Sequence, residues 1–256
     1  TNTKVTYTQL SVGQADASVV EDGKYTAVID TGENGAVVTN YLLGMGKKID
    51  ALFITHLHMD HIGGLRELLD AQVEIEELFI PLHAKEMEID EKSLQLLEEV
   101  EKKNIPITYI GTGDQIHFPR TTFHVLWPDK QRIRKQRPAN DYSLVLGVET
   151  GETLLLTTGD ITGYYEKYSA VDADILKVSH HGSKYSSEEE YLRKVTPKVA
   201  IISSGTSERL PSPETLERMD ALTIPYYCTN ETGSITVTFT NNDFFVELFS
   251  TQGEKP

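Results

Sequence analysis

The sequence predicts an α/β fold of four layers, two sheets packed face to face with helices on both outer sides, and three observations predict it. Short β-branched runs bounded by turn residues recur along the 256-residue chain, helical patterns interrupt them towards both ends, and no Pro/Ser/Gly-rich linker or low-complexity stretch divides it. A chain of this length buries about three quarters of the surface its unfolded form exposes. Residues 1–256 are therefore read as one domain.

Taken in order, Val5 to Val12, Ala17 to Val20, Tyr25 to Asp30 and Ala51 to Thr55 read as strands, with a helix over Val37 to Leu43 before the last. A helical stretch over Ile62 to Ala71 precedes a strand over Glu77 to Pro81 and a helix over Asp90 to Asn104, whose Leu94, Leu97 and Val100 recur at helical spacing. Gln115 to Phe118, Thr122 to Trp127, Tyr142 to Glu149 and Thr153 to Thr157 make a strand-rich middle. A strand over Ile175 to Val178 and helices over Glu188 to Val195 and Pro213 to Leu222 follow. Ser212 caps the last helix, with Pro213 at its first position and Glu214 in its first turn.

Composition closes several routes. Twenty-four Lys and Arg against 39 Asp and Glu give a net charge of −15, a field that repels polyanions and disfavours a general nucleic-acid binder. Apolar runs such as Ala51-Leu52-Phe53-Ile54 are far shorter than the roughly 20 residues of a membrane helix. The one cysteine, Cys228, forms no intramolecular disulfide or thiolate zinc cage and is expected as a small buried apolar residue. Position 1 is Thr, with no signal peptide or initiator Met, which suggests a trimmed or mature product. No GxSxG elbow or P-loop is present.

The informative segment is Thr55-His56-Leu57-His58-Met59-Asp60-His61-Ile62-Gly63-Gly64, where an apolar strand ends and a helix begins. His56 and His58 alternate in step with an extended backbone and point to one side, whereas Asp60 and His61, at the turn into the helix, aim at a second point nearby. That arrangement suits two metals. Imidazole and carboxylate donors without thiolate favour zinc, with manganese or iron as alternatives, over copper or an iron-sulfur cluster.

The segment matches the signature HxHxDH at every defined position, and on it the chain is identified as a member of the metallo-β-lactamase superfamily. Further stretches carry the likeness: Val12-Gly13-Gln14-Ala15-Asp16-Ala17, Val28-Ile29-Asp30-Thr31-Gly32, Asn140-Asp141-Tyr142-Ser143-Leu144-Val145-Leu146, Thr158-Gly159-Asp160, and Ala173-Asp174-Ile175-Leu176-Lys177-Val178-Ser179-His180-His181-Gly182-Ser183. Together, from about Val5 to Phe239, they resemble the extracytoplasmic hydrolase domain of ComEC competence proteins and its secreted free-standing relatives, phosphorylcholine-esterase-like phosphodiesterases among them. The resemblance implies an αββα sandwich with metals at the edge where the sheets meet, an extracytoplasmic or secreted bacterial location, and a closing hairpin at Thr229 to Thr236.

Carried over residue by residue, the resemblance makes His56 and His58 ligands of the first metal, Asp60 and His61 of the second, and Asp160 the bridging carboxylate, with Gly159 turning the backbone before it. One of His180 and His181 is then a last ligand, His181 being the residue assigned, and the other a proton donor. Asn140, Ser143 and His83, the last at a strand end, are expected substrate contacts, whereas His117 and His124 read as ordinary strand residues. Two departures stand out. Asn140 and Asp141 occupy the region where ordinary members carry a third first-site His, and Leu210-Pro211-Ser212-Pro213 replaces a His-Pro-His-Pro stretch of ComEC-like chains. His58 is a gain, since many ComEC-like chains carry Asp there.

The expected activity is hydrolysis by a metal-bound hydroxide on a binuclear centre, Asp60 orienting the nucleophile and His180 or His181 protonating the leaving group. A phosphodiester is the expected substrate, and the basic run Lys130 to Arg137 offers charge for one phosphate. A lactonase or thioesterase on the same scaffold, and a non-catalytic metal-binding recognition domain, are the alternatives. The acidic stretch Glu86 to Glu101 reads as a solvated helix face.

Overall fold

The computed structural model describes residues 4–87, 89–134, 136–207 and 209–249, so Thr1, Glu88 of the acidic stretch and Lys135 of the basic run lie outside the described residues. The first half runs β1 (Val5–Gln9), β2 (Ala17–Asp22), β3 (Tyr25–Thr31), α1 (Ala36–Met45), β4 (Ala51–Phe53), α2 (Met59–Ile62), α3 (Leu65–Asp70), β5 (Leu78–Pro81), α4 (Glu91–Lys102) and β6 (Ile107–Ile110). The second runs β7 (Gln115–His117), β8 (Thr121–Trp127), β9 (Val145–Thr150), β10 (Thr153–Thr157), α5 (Gly163–Glu166), β11 (Ile175–Lys177), α6 (Glu189–Val195), β12 (Val199–Ile202), α7 (Pro213–Ala221), β13 (Tyr226–Cys228), α8 (Thr229–Thr232), β14 (Ile235–Phe239) and β15 (Phe244–Leu248).

These strands build two sheets, ordered β15-β14-β1-β2-β3-β4-β5-β6 and β13-β12-β11-β10-β9-β8-β7. Their period-two side chains feed three apolar layers. Val20, Ala27 and Ile29 of the first sheet meet Leu155, Ile175 and Ile201 of the second in the central layer. The opposite faces pack outward. Val19 and Val28 lie against α1, α3 and α4 through Leu42, Leu68 and Leu97, while Leu156, Leu176 and Ile202 lie against α6 and α7 through Leu192 and Met219. Four layers result, as the sequence predicts. Strands covered on both faces need no polar alternation, which is why they read as continuous apolar runs.

Each sheet changes from antiparallel to parallel at one strand: β3 pairs antiparallel with β2 and parallel with β4, and β10 antiparallel with β9 and parallel with β11. Ligand sites in open sheets form at such switch points, beyond the carboxyl ends of the strands. The loops after β3, β4, β10 and β11 carry the acidic and imidazole residues of interest.

Several boundaries differ from expectation for identifiable reasons. β4 stops at Phe53, because the Thr55 amide donates to Asp30 Oδ1 (2.7 Å) and not to a neighbouring strand. The expected helix over Ile62 to Ala71 is two, parted at Gly63-Gly64. The buried stripe of α4 is Ser93, Leu96, Leu97 and Val100, which turns Leu94 outward at 42% exposure. β9 begins only at Val145, since Ala139–Tyr142 is a 3₁₀ turn pinned by Trp127 Nε1 donating to the Asp141 carbonyl (2.7 Å). The closing hairpin is β14-β15, Thr229–Thr232 being a helical turn before it.

Other readings hold. Ser212 caps α7 by accepting from the Thr215 amide, with Pro213 at the first position. Cys228 is buried, and burial pushes its thiol up to about 12. No helix among the described residues is long and apolar enough to cross a membrane.

Candidate metal centre

The HxHxDH segment leaves β4 with its backbone tied on both sides. Asp30 at the end of β3 takes hydrogen bonds from the Thr55 amide (2.7 Å) and the Thr55 hydroxyl (2.7 Å), and the Thr55 carbonyl accepts from the Leu144 amide (2.8 Å) in front of β9. From α4, Ser93 Oγ donates to the Leu57 carbonyl (2.7 Å). Held this way, His56 Nε2 and His58 Nδ1 approach to 3.0 Å, two donor nitrogens converging on one side as the extended spacing predicts.

The turn that follows depends on backbone contact that only glycine allows. A Cβ on Gly64 would lie 2.1 Å from the Thr31 carbonyl oxygen and 2.6 Å from Gly35 Cα, both backbone atoms. Gly64→Ala is therefore expected to cost about 3 kcal/mol or more, read as a lower urea midpoint at unchanged m-value. An unchanged midpoint would show that the turn relaxes freely.

α2 places His61 at full burial, its Nδ1 2.7 Å from Asp30 Oδ2. A carboxylate only accepts, so Nδ1 donates and Nε2 faces the opposite way. There it lies 3.4 Å from Asp160 Oδ1 and 3.9 Å from Asp60 Oδ2. Asp160 arrives from the second sheet after Gly159, where a Cβ would come within 2.9 Å of Thr55 Cβ and φ is +49°. Its amide donates to Ser143 Oγ (3.1 Å).

The His pair after β11 sits in a turn, not in the strand, both residues in left-handed backbone (φ 51° and 53°). The turn separates them. His181 is buried, its Nδ1 bonded to the Ser203 carbonyl (3.1 Å) and its Nε2 3.5 Å from Asp60 Oδ2 and 3.7 Å from Asp160 Oδ2. The side chain of His180 is 31% exposed, with Nε2 3.7 Å from Asp160 Oδ2.

His61, Asp160, His181 and also Asp16 each offer a donor atom within 4.8 Å of the others. The chemistry fits a cation. His61 Nε2, Asp160 Oδ1 and His181 Nε2 are fully buried without a hydrogen-bond partner among the described residues, a costly arrangement that a metal would satisfy. Electrostatics agree. Burial opposes charge on His61, yet Asp160 and Asp30 hold its pKa well above the ordinary value. Burial would raise the carboxyls of Asp160 and Asp60, but the neighbouring histidines hold both below the usual range. Buried His56, beside His61, is pushed well below the imidazole range.

The remaining expected site residues are placed variously. Asn140 carries a buried Oδ1 without a hydrogen-bond partner among the described residues, and Ser143 holds the Asp160 amide. Asp141 has both carboxylate oxygens engaged elsewhere, accepting from Arg137 Nε (2.8 Å) and from the Thr162 hydroxyl (2.7 Å). His83, in left-handed backbone after β5, pairs through Nδ1 with Glu86 Oε1 at 2.8 Å. In the basic run, Arg137 is neutralised by Asp141 and Arg132 lies over the Tyr168 ring at 4.8 Å. Sequence reasoning gave no role to Asp16 or Asp30. Their signal was the one acidic residue within each of the two quoted stretches Val12 to Ala17 and Val28 to Gly32.

Residues 10–130 match the family model described as the metallo-beta-lactamase superfamily. Among curated proteins the chain is similar to ComE operon protein 3 of Bacillus subtilis, 34% identical over 213 residues, covering 80% of this chain and 26% of that protein. It is also similar to Recombination protein 2 of Haemophilus influenzae, 29% identical over 245 residues, covering 90% of this chain and 28% of that protein. The chain thus spans about a quarter of the length of these relatives. Among solved structures, the metallo-beta-lactamase fold protein YhfI from Bacillus subtilis superposes with a TM-score of 0.62 over 92% of this chain and 100% of that one at 11% identity, a likeness of fold.

Proposed function

Because this chain carries a metallo-beta-lactamase superfamily domain, we propose that the metal-dependent hydrolase chemistry of that family acts here on phosphodiesters. The observation that carries the metal reading is the trio of buried, unpartnered atoms His61 Nε2, Asp160 Oδ1 and His181 Nε2. The phosphodiester reading rests on the likeness to ComE operon protein 3 and Recombination protein 2. Residues 1–256 act as one hydrolase unit, outside the cytoplasm as in the ComEC-like proteins it resembles.

In this reading His56 and His58 would hold one cation and Asp60, His61 and His181 a second, with Asp160 a ligand between them. Zinc is the first choice, manganese or iron the alternatives. When bound, the cations polarise the phosphoryl oxygen and supply a nucleophile at neutral pH. The residues do the rest. Asp60, 35% exposed, orients the attacking water at the mouth, and His180 Nε2 delivers the proton to the leaving oxygen. Asn140, Ser143 and His83 are the proposed substrate contacts.

The charge of −15 ranks small diesters above long polyanions. Metal-replete protein is expected to hydrolyse bis-p-nitrophenyl phosphate, to lose this activity on chelation, and to act more slowly on long DNA at low salt. Added salt narrows the gap by screening. Faster cleavage of long DNA at low salt would reverse the substrate ranking, and turnover of lactones or thioesters alone would replace the phosphodiester reading.

A further inference from the structure

A lysine stands among the inward-facing side chains of the second sheet. On β11, Ile175 faces the central layer and Leu176 the outer one, so Lys177 returns to the inner side, where its side chain is 3% exposed. A lone ammonium there would be strongly disfavoured. It is not alone: Lys177 Nζ bonds to Asp16 Oδ2, and the other Asp16 oxygen takes a bond from Gln9 Nε2 (3.3 Å), itself oriented by the Tyr7 hydroxyl donating to Gln9 Oε1 (2.6 Å). The Asp16 backbone is fixed as well, its amide donating to the Asp60 carbonyl (3.1 Å) and its carbonyl accepting from the Gly32 amide (2.7 Å).

Asp16 is thereby delivered to the rim of the donor cluster, within 4.8 Å of donor atoms on His61, Asp160 and His181, with both oxygens held from behind. A hydrolytic metal centre must leave one position for water or substrate. A further carboxylate free to turn inward would fill it. We propose that Lys177 is a positioning residue that restrains Asp16 at the edge of the metal cluster, keeping it from closing the position that substrate needs. The inference rests on the metal-hydrolase reading above and concerns a pair to which that reading gives no role.

The test is calorimetric titration of chelator-stripped protein with zinc. Lys177→Met frees Asp16 and is expected to tighten zinc binding about 10-fold, while Asp16→Asn weakens it about 10-fold, the scale on which partners of metal ligands act. In the Asp16→Asn background, adding Lys177→Met should bring no gain, because the lysine acts through the aspartate. Zinc-loaded Lys177→Met should also show a lower kcat.

A parallel weakening in both single variants would overturn the proposal and leave a merely structural ion pair. An equal gain from Lys177→Met with and without Asp16 would overturn it in favour of simple charge repulsion. If Lys177→Met does not fold, Lys177→Gln, which keeps a donor for Asp16 and drops the charge, supplies the same comparison with a smaller shift. Wild-type protein that binds no zinc would overturn the metal reading itself, and this proposal with it.

Discussion

Asp160→Asn is expected to abolish metal binding and hydrolysis together while leaving the fold intact. The carboxylate is buried, lies 3.4 Å from His61 Nε2 and 3.7 Å from His181 Nε2, and is the acidic group that the second sheet brings to the cluster beside Asp16. Loss of a group that only orients a ligand costs about 10- to 100-fold in metal affinity, so loss of a shared ligand should exceed about 100-fold. Turnover should fall at least about 100-fold with it. The amide bond to Ser143 Oγ is made by the backbone and survives, so the circular dichroism of the variant should match wild type.

The same variant has a pH signature. His61 holds its proton above the ordinary imidazole range because Asp160 and Asp30 outweigh its burial. Its raised value stabilises the metal-free fold fully below the unfolded imidazole pKa of about 6.5, and that contribution is lost as pH rises through the raised value. A cation must displace that proton, so wild-type metal affinity should climb with pH across the same window. In Asp160→Asn the contribution of His61 to metal-free stability should shrink. Undiminished metal affinity in the variant would remove Asp160 from the centre.

Asp30→Asn should be nearly as damaging, although Asp30 is not among the proposed ligands. Its two oxygens receive the Thr55 amide, the Thr55 hydroxyl and His61 Nδ1, and burial raises its carboxyl against the opposing pull of His61. An amide can still accept from the Thr55 N–H. Its NH₂ face, however, cannot accept from His61, so the neutral ring is driven to the tautomer with hydrogen on Nε2, the atom that faces Asp160. Metal affinity should fall about 10- to 100-fold. Stability of the metal-free protein should fall by about 3–5 kcal/mol, as when one partner of a buried pair is removed. Thermal unfolding with and without zinc separates the two effects, and a variant that binds zinc like wild type would show that Asp30 supports only the chain path.

How much of this could be read from the sequence follows from distance along the chain. His56, His58, Asp60 and His61 fall within six consecutive positions, and local backbone geometry brings them together. Strands such as β2, β3 and β10 were legible because burial on both faces makes them continuous apolar runs. Three-residue β13 and the four-residue α5 and α8 are too short to show a period. The Lys177–Asp16 contact joins residues 161 positions apart and exists only through the pairing of β11 beside β10 and the packing of one sheet on the other. Lys177 interrupts an apolar run on β11, and nothing beside it in the sequence names its partner.

The division of donors between the sheets has a consequence beyond catalysis. Of the proposed ligands, His56, His58, Asp60 and His61 belong to the first sheet's loops, and Asp160 and His181 to the second's, so neither half of the sandwich presents the whole set. A cation that needs both halves binds the closed sandwich and not the unfolded chain. Free metal at 100 times its dissociation constant then adds about 2.7 kcal/mol to the closed state, a sizeable part of the roughly 5–15 kcal/mol that holds a typical domain together. Metal supply would thus set how often the chain opens to proteases, and scarcity would shorten the lifetime of the protein as well as silence it.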